Sequence, residues 1–238
     1  MSISHIIADL HLCEDRPDIT EGFLRFVSEV ACEAEHLYIL GDFFEAWVGD
    51  DYHDDTIDSV TLALKARQIS GKYTYFCHGN RDFLVGAAFC ERAGLQLLGE
   101  ETVVSLAGQP TLLMHGDSLC TDDLQYQAFR QHVRQEHWQA QFLNQPLATR
   151  LTIAAQLRAQ SKMASREKAQ DIMDVNPNTV EETCMKNGVT TLIHGHTHRP
   201  ADHHNGTFRR LVVGDWDLAM RYVRADDADL QLLDWHWH

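Results

Sequence analysis

The stretch HIIADLH (residues 5–11) is an apolar run of the kind that forms a buried strand, broken where Asp9 and His11 arrive. The pattern returns in LYILGD (37–42), YTYFCHGN (73–80), TLLMHGD (111–117) and TLIHGHTH (191–198). Each run is β-rich and ends in Gly, Asp, Asn or His. Helical patterns separate the early ones: residues 20–34 carry Phe23, Leu24, Val27, Val30, Ala31 and Ala34 on one face, and 56–70 and 83–93 read alike. Strands alternating with helices define βαβ units. Towards the C-terminus FRRLVVGDW (208–216), AMRYV (219–223) and LQLLDW (230–235) follow one another without helices, which predicts an added antiparallel part. The expected fold class is α/β, a mixed sandwich. In such sheets ligand sites gather beyond the carboxyl ends of the strands, where the polar residues accumulate here.

With 238 residues, 44% apolar and 23% charged, the chain is read as a single domain over 1–238 with room for an insertion. No window approaches 18 consecutive apolar residues, so no membrane span is predicted. MSISHIIADLHL lacks a basic start followed by a long apolar stretch, so no signal peptide is predicted. Six cysteines, at 13, 32, 77, 90, 120 and 184, show no CxxC spacing and fit reduced packing residues. Twenty Lys+Arg against 35 Asp+Glu give a net charge of −15, the wrong sign for general nucleic-acid binding. Residues 122–170 differ: seven basic and four acidic side chains make them net +3, leaving −18 for the remainder. Apolar residues recur there at Phe129, Val133, Phe142, Leu143, Leu147, Leu151 and Ala155. That segment is predicted to be a helical insertion, or cap, with a basic face.

Taken together, the five run ends supply Asp9-x-His11, Gly41-Asp42, Gly79-Asn80, His115-Gly116 and Gly195-His196-Thr197-His198. In extended backbone, residues i and i+2 point to one side, so Asp9 with His11, and His196 with His198, are predicted to share a target. Two carboxylates, four imidazoles and one amide oxygen suit Mn²⁺, Fe²⁺ or Zn²⁺ better than Ca²⁺ or a thiolate site. Seven ligands exceed what one ion needs and suit two with a bridging carboxylate. Two divalent ions activate water and clamp a phosphoryl group for in-line displacement. Any one motif matches often by accident; five in order, each ending an apolar run, do not.

D-x-H, G-D, G-N-R-D, H-G-D and G-H-T-H in this order resemble the calcineurin-like metallophosphoesterase superfamily. The resemblance implies an α/β/β/α sandwich with a dinuclear centre. It implies that Asp9, His11, Asp42 and His198 hold one metal, and Asp42, Asn80, His115 and His196 the other, with Asp42 bridging. GDFFEAWVGDD (41–51), HGNRDFLVG (78–86), MHGDSLCTDD (114–123), DIMDVN (171–176) and IHGHTHRPA (193–201) further resemble the UDP-2,3-diacylglucosamine hydrolase family of lipid A biosynthesis, along essentially the whole chain. This implies a diphosphatase that gives UMP and 2,3-diacylglucosamine 1-phosphate, two Mn²⁺ ions as cofactors, and peripheral attachment to the anionic cytoplasmic face of the inner membrane. It also implies substrate contacts at Asn80, Arg81, Asp123, Ser161, Ser165, Lys168 and His196. At position 165 the chain departs from the family pattern, with Ser in place of Asn; a hydroxyl keeps only part of the amide's hydrogen bonding.

Arg81 carries information of its own. Many metallophosphoesterases have His at this position, as an acid for an alkoxide leaving group. A guanidinium stays charged and gives no proton near neutral pH. Cleaving a phosphoanhydride expels a phosphate that needs little acid assistance, and a fork of N–H donors stabilises its charge. Arg81 is therefore assigned a catalytic role. Asp82 is assigned one beside it, orienting the guanidinium or a metal ligand; a helix-capping carboxylate is the alternative. His194 is expected to pack within its strand, the DWHWH terminus to be an exposed tail serving packing or nothing, and Arg209 and Arg210 to decorate a surface strand. A general phosphatase and a catalytically silent interaction module are the competing readings.

Overall fold

The computed structural model describes residues 2–167, 170–217 and 219–237, without the side chains of 165–167, 170 and 171. In chain order the elements are β1 (Ser4–Ile7), α1 (Pro17–Arg25), β2 (His36–Ile39), α2 (Asp55–Ile69), β3 (Tyr73–Phe76), α3 (Ala87–Ala93), β4 (Leu95–Leu97), β5 (Thr102–Leu106) and β6 (Gln109–Leu113). There follow α4 (Leu124–Val133), α5 (Glu136–Leu143), α6 (Leu147–Glu167), α7 (Pro177–Lys186), β7 (Thr191–His194), β8 (Ala201–Asn205), β9 (Phe208–Val212), β10 (Met220–Ala225) and β11 (Leu230–Trp235). One sheet runs β11-β10-β1-β2-β3-β4 and the other β5-β6-β7-β9-β8.

Strand alternation explains the layers. Ile6, Tyr38, Ile193 and Leu211 face the opposite sheet and form the core between the two. Their neighbours Ile7, Leu37, Ile39 and Phe76 point the other way, against Phe23 and Phe26 of the α1 region, Leu64 of α2 and Phe89 of α3. Leu112, Met114 and Leu192 meet Val180 and Cys184 of α7 on the far side. Strands buried on both faces lose the polar alternation of a half-exposed strand, which is why they read as continuous apolar runs. The result is the expected α/β/β/α sandwich.

Several boundaries differ from the sequence reading. The first helix starts at Pro17 and passes into a π turn over Phe26–Val30. The third covers only Ala87–Ala93. The C-terminal strands do not form one antiparallel unit. β9 pairs parallel with β7, whereas β10 and β11 form a hairpin that extends the first sheet antiparallel to β1. β4, β5 and β8 were not anticipated; they are short or largely exposed and lack a long apolar signature.

The segment expected to form the cap carries α4, α5 and α6, and four of its arginines are turned inward. Arg130 pairs with Asp117, Arg150 with Asp51, and Arg158 with Glu45, while Arg134 donates to the Gly79 carbonyl at 2.8 Å. Arg150 is buried and also donates to the carbonyls of Val48 and Gln145. Four arginines of the segment thus fasten the cap to the rest of the protein, while Lys162 stays exposed. At the other end Trp237 is buried and packs against Gly22, where an added Cβ would lie 3.0 Å from the indole.

Candidate metal centre

All seven expected ligands lie just beyond strand ends, and their approach is set by backbone, not by strand alternation. Asp9 N donates to the Gly41 carbonyl (3.1 Å), His11 N to Asp42 O (2.9 Å) and Leu12 N to Phe43 O (2.9 Å), so the segments leaving β1 and β2 are zipped together. Among the described residues six non-glycines have left-handed φ: Asp9, His11, Asp42, His196, His198 and Ala107. Ala107 belongs to the β5–β6 hairpin turn; the other five are expected ligands. The i, i+2 argument thus brings Asp9 and His11 together for the wrong reason, and fails for His196 and His198, which face opposite sides of the centre. Left-handed backbone costs roughly 1–2 kcal/mol per non-glycine residue, and that cost is concentrated here, as is usual at functional sites. Two glycines permit the close approach: a Cβ at Gly79 would sit 2.2 Å from Asp42 N, and one at Gly195 would sit 2.4 Å from Asp9 Oδ2.

Asp42 stands at the centre. Its Oδ2 lies 3.9 Å from His11 Nε2, and its Oδ1 lies 3.7 Å from His115 Nε2. One oxygen thus faces each half of the site. On one side His11 Nε2 and His198 Nε2 converge to 3.2 Å, with Asp9 Oδ1 3.6 Å from His198 Nε2. On the other side Asn80 Oδ1 is 3.0 Å from His115 Nε2 and 2.8 Å from His196 Nδ1. Asp9 Oδ1 is buried without a hydrogen-bond partner. An unpartnered buried carboxylate oxygen is costly, and here it points among imidazole nitrogens. Ligand atoms of Asp9, His11 and His198, and separately of Asp9, Asp42 and His115, fall within 4.8 Å of one another. The donor set fits a pair of divalent cations, and the position of Asp42 fits the bridging role.

The electrostatics follow from burial and from neighbouring charge. Burial is the largest influence on His196 and lowers it to about 4; it lowers His11 as well. At His198 burial is outweighed by the nearby Asp215 and Asp9 carboxylates, which raise it to about 10. His115 is also raised, because Asp42, Asp9 and Asp117 outweigh its burial.

Asp82 is fully buried and caps no helix. Its carboxylate accepts from Phe43 N (2.7 Å) and Gly79 N (2.8 Å), with longer contacts from Asp42 N and Phe44 N. It ties the Asp42 and Asn80 segments together and no guanidinium contact accompanies it among the described residues. The observed role is to position ligand-bearing backbone, not to touch reacting atoms, so the capping alternative falls away. Burial and the charge of Asp42 raise it to about 6. Arg81 N donates to Asp42 Oδ1 at 2.8 Å, and its Nε lies 3.7 Å from Asp42 Oδ2 without a hydrogen bond. Its side chain is partly exposed at the rim.

Of the other expected substrate contacts, Asp123 caps α4 by accepting from Tyr126 N. Ser161 is exposed on α6. Lys168 and the side chain of Ser165 lie outside the described residues. His194 is buried in β7, with Nδ1 2.8 Å from the Gly195 carbonyl, as expected of a packing residue. Arg209 pairs with Asp202 on the surface, whereas Arg210 reaches inward to within 3.2 Å of His194 Nε2.

Sequence reasoning missed the residues behind the ligands. Asp117, fully buried, accepts from Tyr126 Oη (2.7 Å) and Arg130 Nε (2.8 Å), and the Tyr126 ring lies 5.8 Å from that of His196. Asp117 closes the H-G-D motif, the one signal that marked it. Tyr126, Arg130, Glu45 and Asp215 carry no local signal.

Fold and site define a dinuclear phosphoesterase. Residues 5–200 match the calcineurin-like phosphoesterase family. Vacuolar protein sorting 29 from Cryptosporidium parvum shares the fold, with a TM-score of 0.51 at 13% identity over 99% of this chain and 92% of that one. The chain is 50% identical over 230 residues to the UDP-2,3-diacylglucosamine hydrolase of Serratia proteamaculans, covering 94% of this chain and 96% of that protein. It is 48% identical over 233 residues to that of Cellvibrio japonicus, covering 96% and 97%. The chain belongs to the UDP-2,3-diacylglucosamine hydrolase family of calcineurin-like phosphoesterases.

Proposed function

We propose that this protein hydrolyses the diphosphate of UDP-2,3-diacylglucosamine to UMP and 2,3-diacylglucosamine 1-phosphate, within lipid A biosynthesis. The observation that supports the reading is Arg81, its Nε 3.7 Å from Asp42 Oδ2 among the seven candidate ligands, with a guanidinium where an acid for an alkoxide would otherwise stand.

The residues that would hold the two ions, Mn²⁺ in this reading, are Asp9, His11, Asp42 and His198 for one, and Asp42, Asn80, His115 and His196 for the other. Bound there, the ions lower the pKa of water and neutralise charge on the phosphoryl group. Asp82 holds the backbone of Asp42 and Gly79 so that these ligands need not reorganise. Arg81 stabilises negative charge on the substrate diphosphate and on the departing phosphate. Asn80 and His196, 2.8 Å apart, are proposed to complete the phosphate contacts. Asp123, Ser161, Ser165 and Lys168 are proposed to select the remainder of the substrate.

The acyl chains need an apolar channel. A cleft of ≈ 280 Å³ runs between α6 and the ligand-bearing segments, lined by Leu12, Phe44, Val48, Leu151, Ala154 and Ala155. Glu45 and Arg158 line the same cleft, and Glu45 touches His11, so a chain lying there would be joined to a head group at the centre. Exposed Leu143, Leu151 and Met163 support contact of the cap with the inner-membrane surface. Among the described residues no helix is long and apolar enough to cross a membrane.

Incubation with Mn²⁺ and UDP-2,3-diacylglucosamine is expected to release UMP, and chelation to stop it. Hydrolysis confined to p-nitrophenyl esters would contradict the reading.

A further inference from the structure

Two carboxylates outside the seven expected ligands stand behind the histidines on one side of the centre. His11 and His198 turn Nε2 towards each other and towards Asp9. Their opposite nitrogens each lie near an acid: His11 Nδ1 is 3.0 Å from Glu45 Oε2, an ion-pair contact without hydrogen-bond geometry, and His198 Nδ1 is 3.4 Å from Asp215 Oδ2. The other side is built differently. His115 Nδ1 is 2.8 Å from the backbone carbonyl of Leu40, and His196 Nδ1 faces Asn80 within the centre. Among the described residues neither of those rings has a carboxylate within 4.0 Å of its outward nitrogen, although buried Asp117 adds its charge to both from farther off.

Both acids are held in place. Glu45 N donates to the Leu12 carbonyl (3.1 Å), and Glu45 Oε1 is ion-paired with Arg158 of α6. Asp215 follows β9 and precedes Trp216, whose N donates to the Asp9 carbonyl (3.3 Å). Each carboxylate thus reaches its histidine on a segment already tied to the ligand loops.

An imidazole that binds a cation through Nε2 carries its proton on Nδ1. A carboxylate accepting that proton fixes the tautomer and the ring plane and makes the ring a stronger donor. A peptide carbonyl fixes the tautomer with no formal charge. We infer that Glu45 and Asp215 are positioning residues for His11 and His198, and that they make the ion position shared by these histidines the tighter of the two. The inference rests on the two-ion reading of the centre.

Chelated protein, titrated with Mn²⁺ and followed by the electron paramagnetic resonance of free Mn²⁺ and by calorimetry, should bind in two steps. In Glu45→Gln and in Asp215→Asn the tighter step should weaken about 10–100-fold, with the weaker step held within about threefold. A tighter step unchanged in both variants, or equal weakening of both steps, would overturn the inference. So would a large fall in the melting temperature of the chelated variants, which would assign the carboxylates to folding. Unsubstituted protein that takes up fewer than two ions would instead overturn the two-ion reading, before any variant is compared.

Discussion

The loops that carry the ligands and the helices of the cap solve opposite problems. The ligand loops are buried, zipped by backbone hydrogen bonds and held in left-handed conformations that only an over-determined surrounding sustains. The cap is laid over the core by four arginines, and leaves Phe129, Leu143, Leu151 and Met163 exposed. A reaction that depends on charges placed to a fraction of an ångström needs the first kind of construction. An acylated substrate suits the second, where ion pairs and the packing of Trp138, Phe142 and Leu147 fix the helices and leave a cleft beside α6. On the proposed reading chemistry and selection are separable, and substitutions in the two regions should fail differently.

The sharpest break should come at Asp42, which faces both halves of the centre. Asp42→Ala should lower kcat by about 10³-fold or more, since each ion is worth several kcal/mol to the transition state, and calorimetry should show reduced uptake of Mn²⁺. Arg81→Ala should bind Mn²⁺ as before and lose about 10²–10³-fold in kcat on the UDP-lipid. Undiminished turnover would remove Arg81 from the reaction. In the cap, Leu151→Asp places a charge in the apolar cleft. It should raise KM for the acylated substrate about tenfold, the effect of about 1.4 kcal/mol, with metal uptake unchanged.

A further contrast lies in the core, away from both regions. His5 on β1 is fully buried between Phe26 and Tyr222, and neither ring nitrogen has a hydrogen bond. Burial, only partly offset by Glu33, lowers it from 6.5 to about 4. Between those two pH values the unfolded chain binds a proton that the folded chain does not, so stability falls as pH drops through this window. The size is of order 3 kcal/mol once pH is below about 4. His5→Phe should flatten that part of the curve, measured by urea unfolding of chelated protein between pH 4 and 7.5. A curve of unchanged steepness would show that His5 does not titrate as its burial implies.

The sequence made the ligand loops legible because each is announced by a doubly buried strand, and a strand buried on both faces leaves an unbroken apolar run before its polar end. The order of strands was less legible. β9 resembles its C-terminal neighbours locally but joins β7, since pairing depends on which edge is open. The cap was visible as a charge anomaly, yet the direction its cations face was not; their partners Glu45, Asp51 and Asp117 lie between 13 and 113 residues away along the chain. Asp82 shows the same limit. The residue next to Arg81 looks like its partner, but side chains of adjacent residues diverge, and the carboxylate turns into the core to hold backbone.

The division between a centre that performs the reaction and a cap that selects its substrate is tested most directly by comparing kcat/KM of the Mn²⁺-loaded protein on UDP-2,3-diacylglucosamine and on UDP-glucosamine without acyl chains. Each methylene removed from apolar contact is worth about 0.8 kcal/mol. The account therefore predicts a loss of about 100-fold or more on deacylation, with UMP as the product of whatever turnover remains. Equal turnover of the two substrates would contradict it.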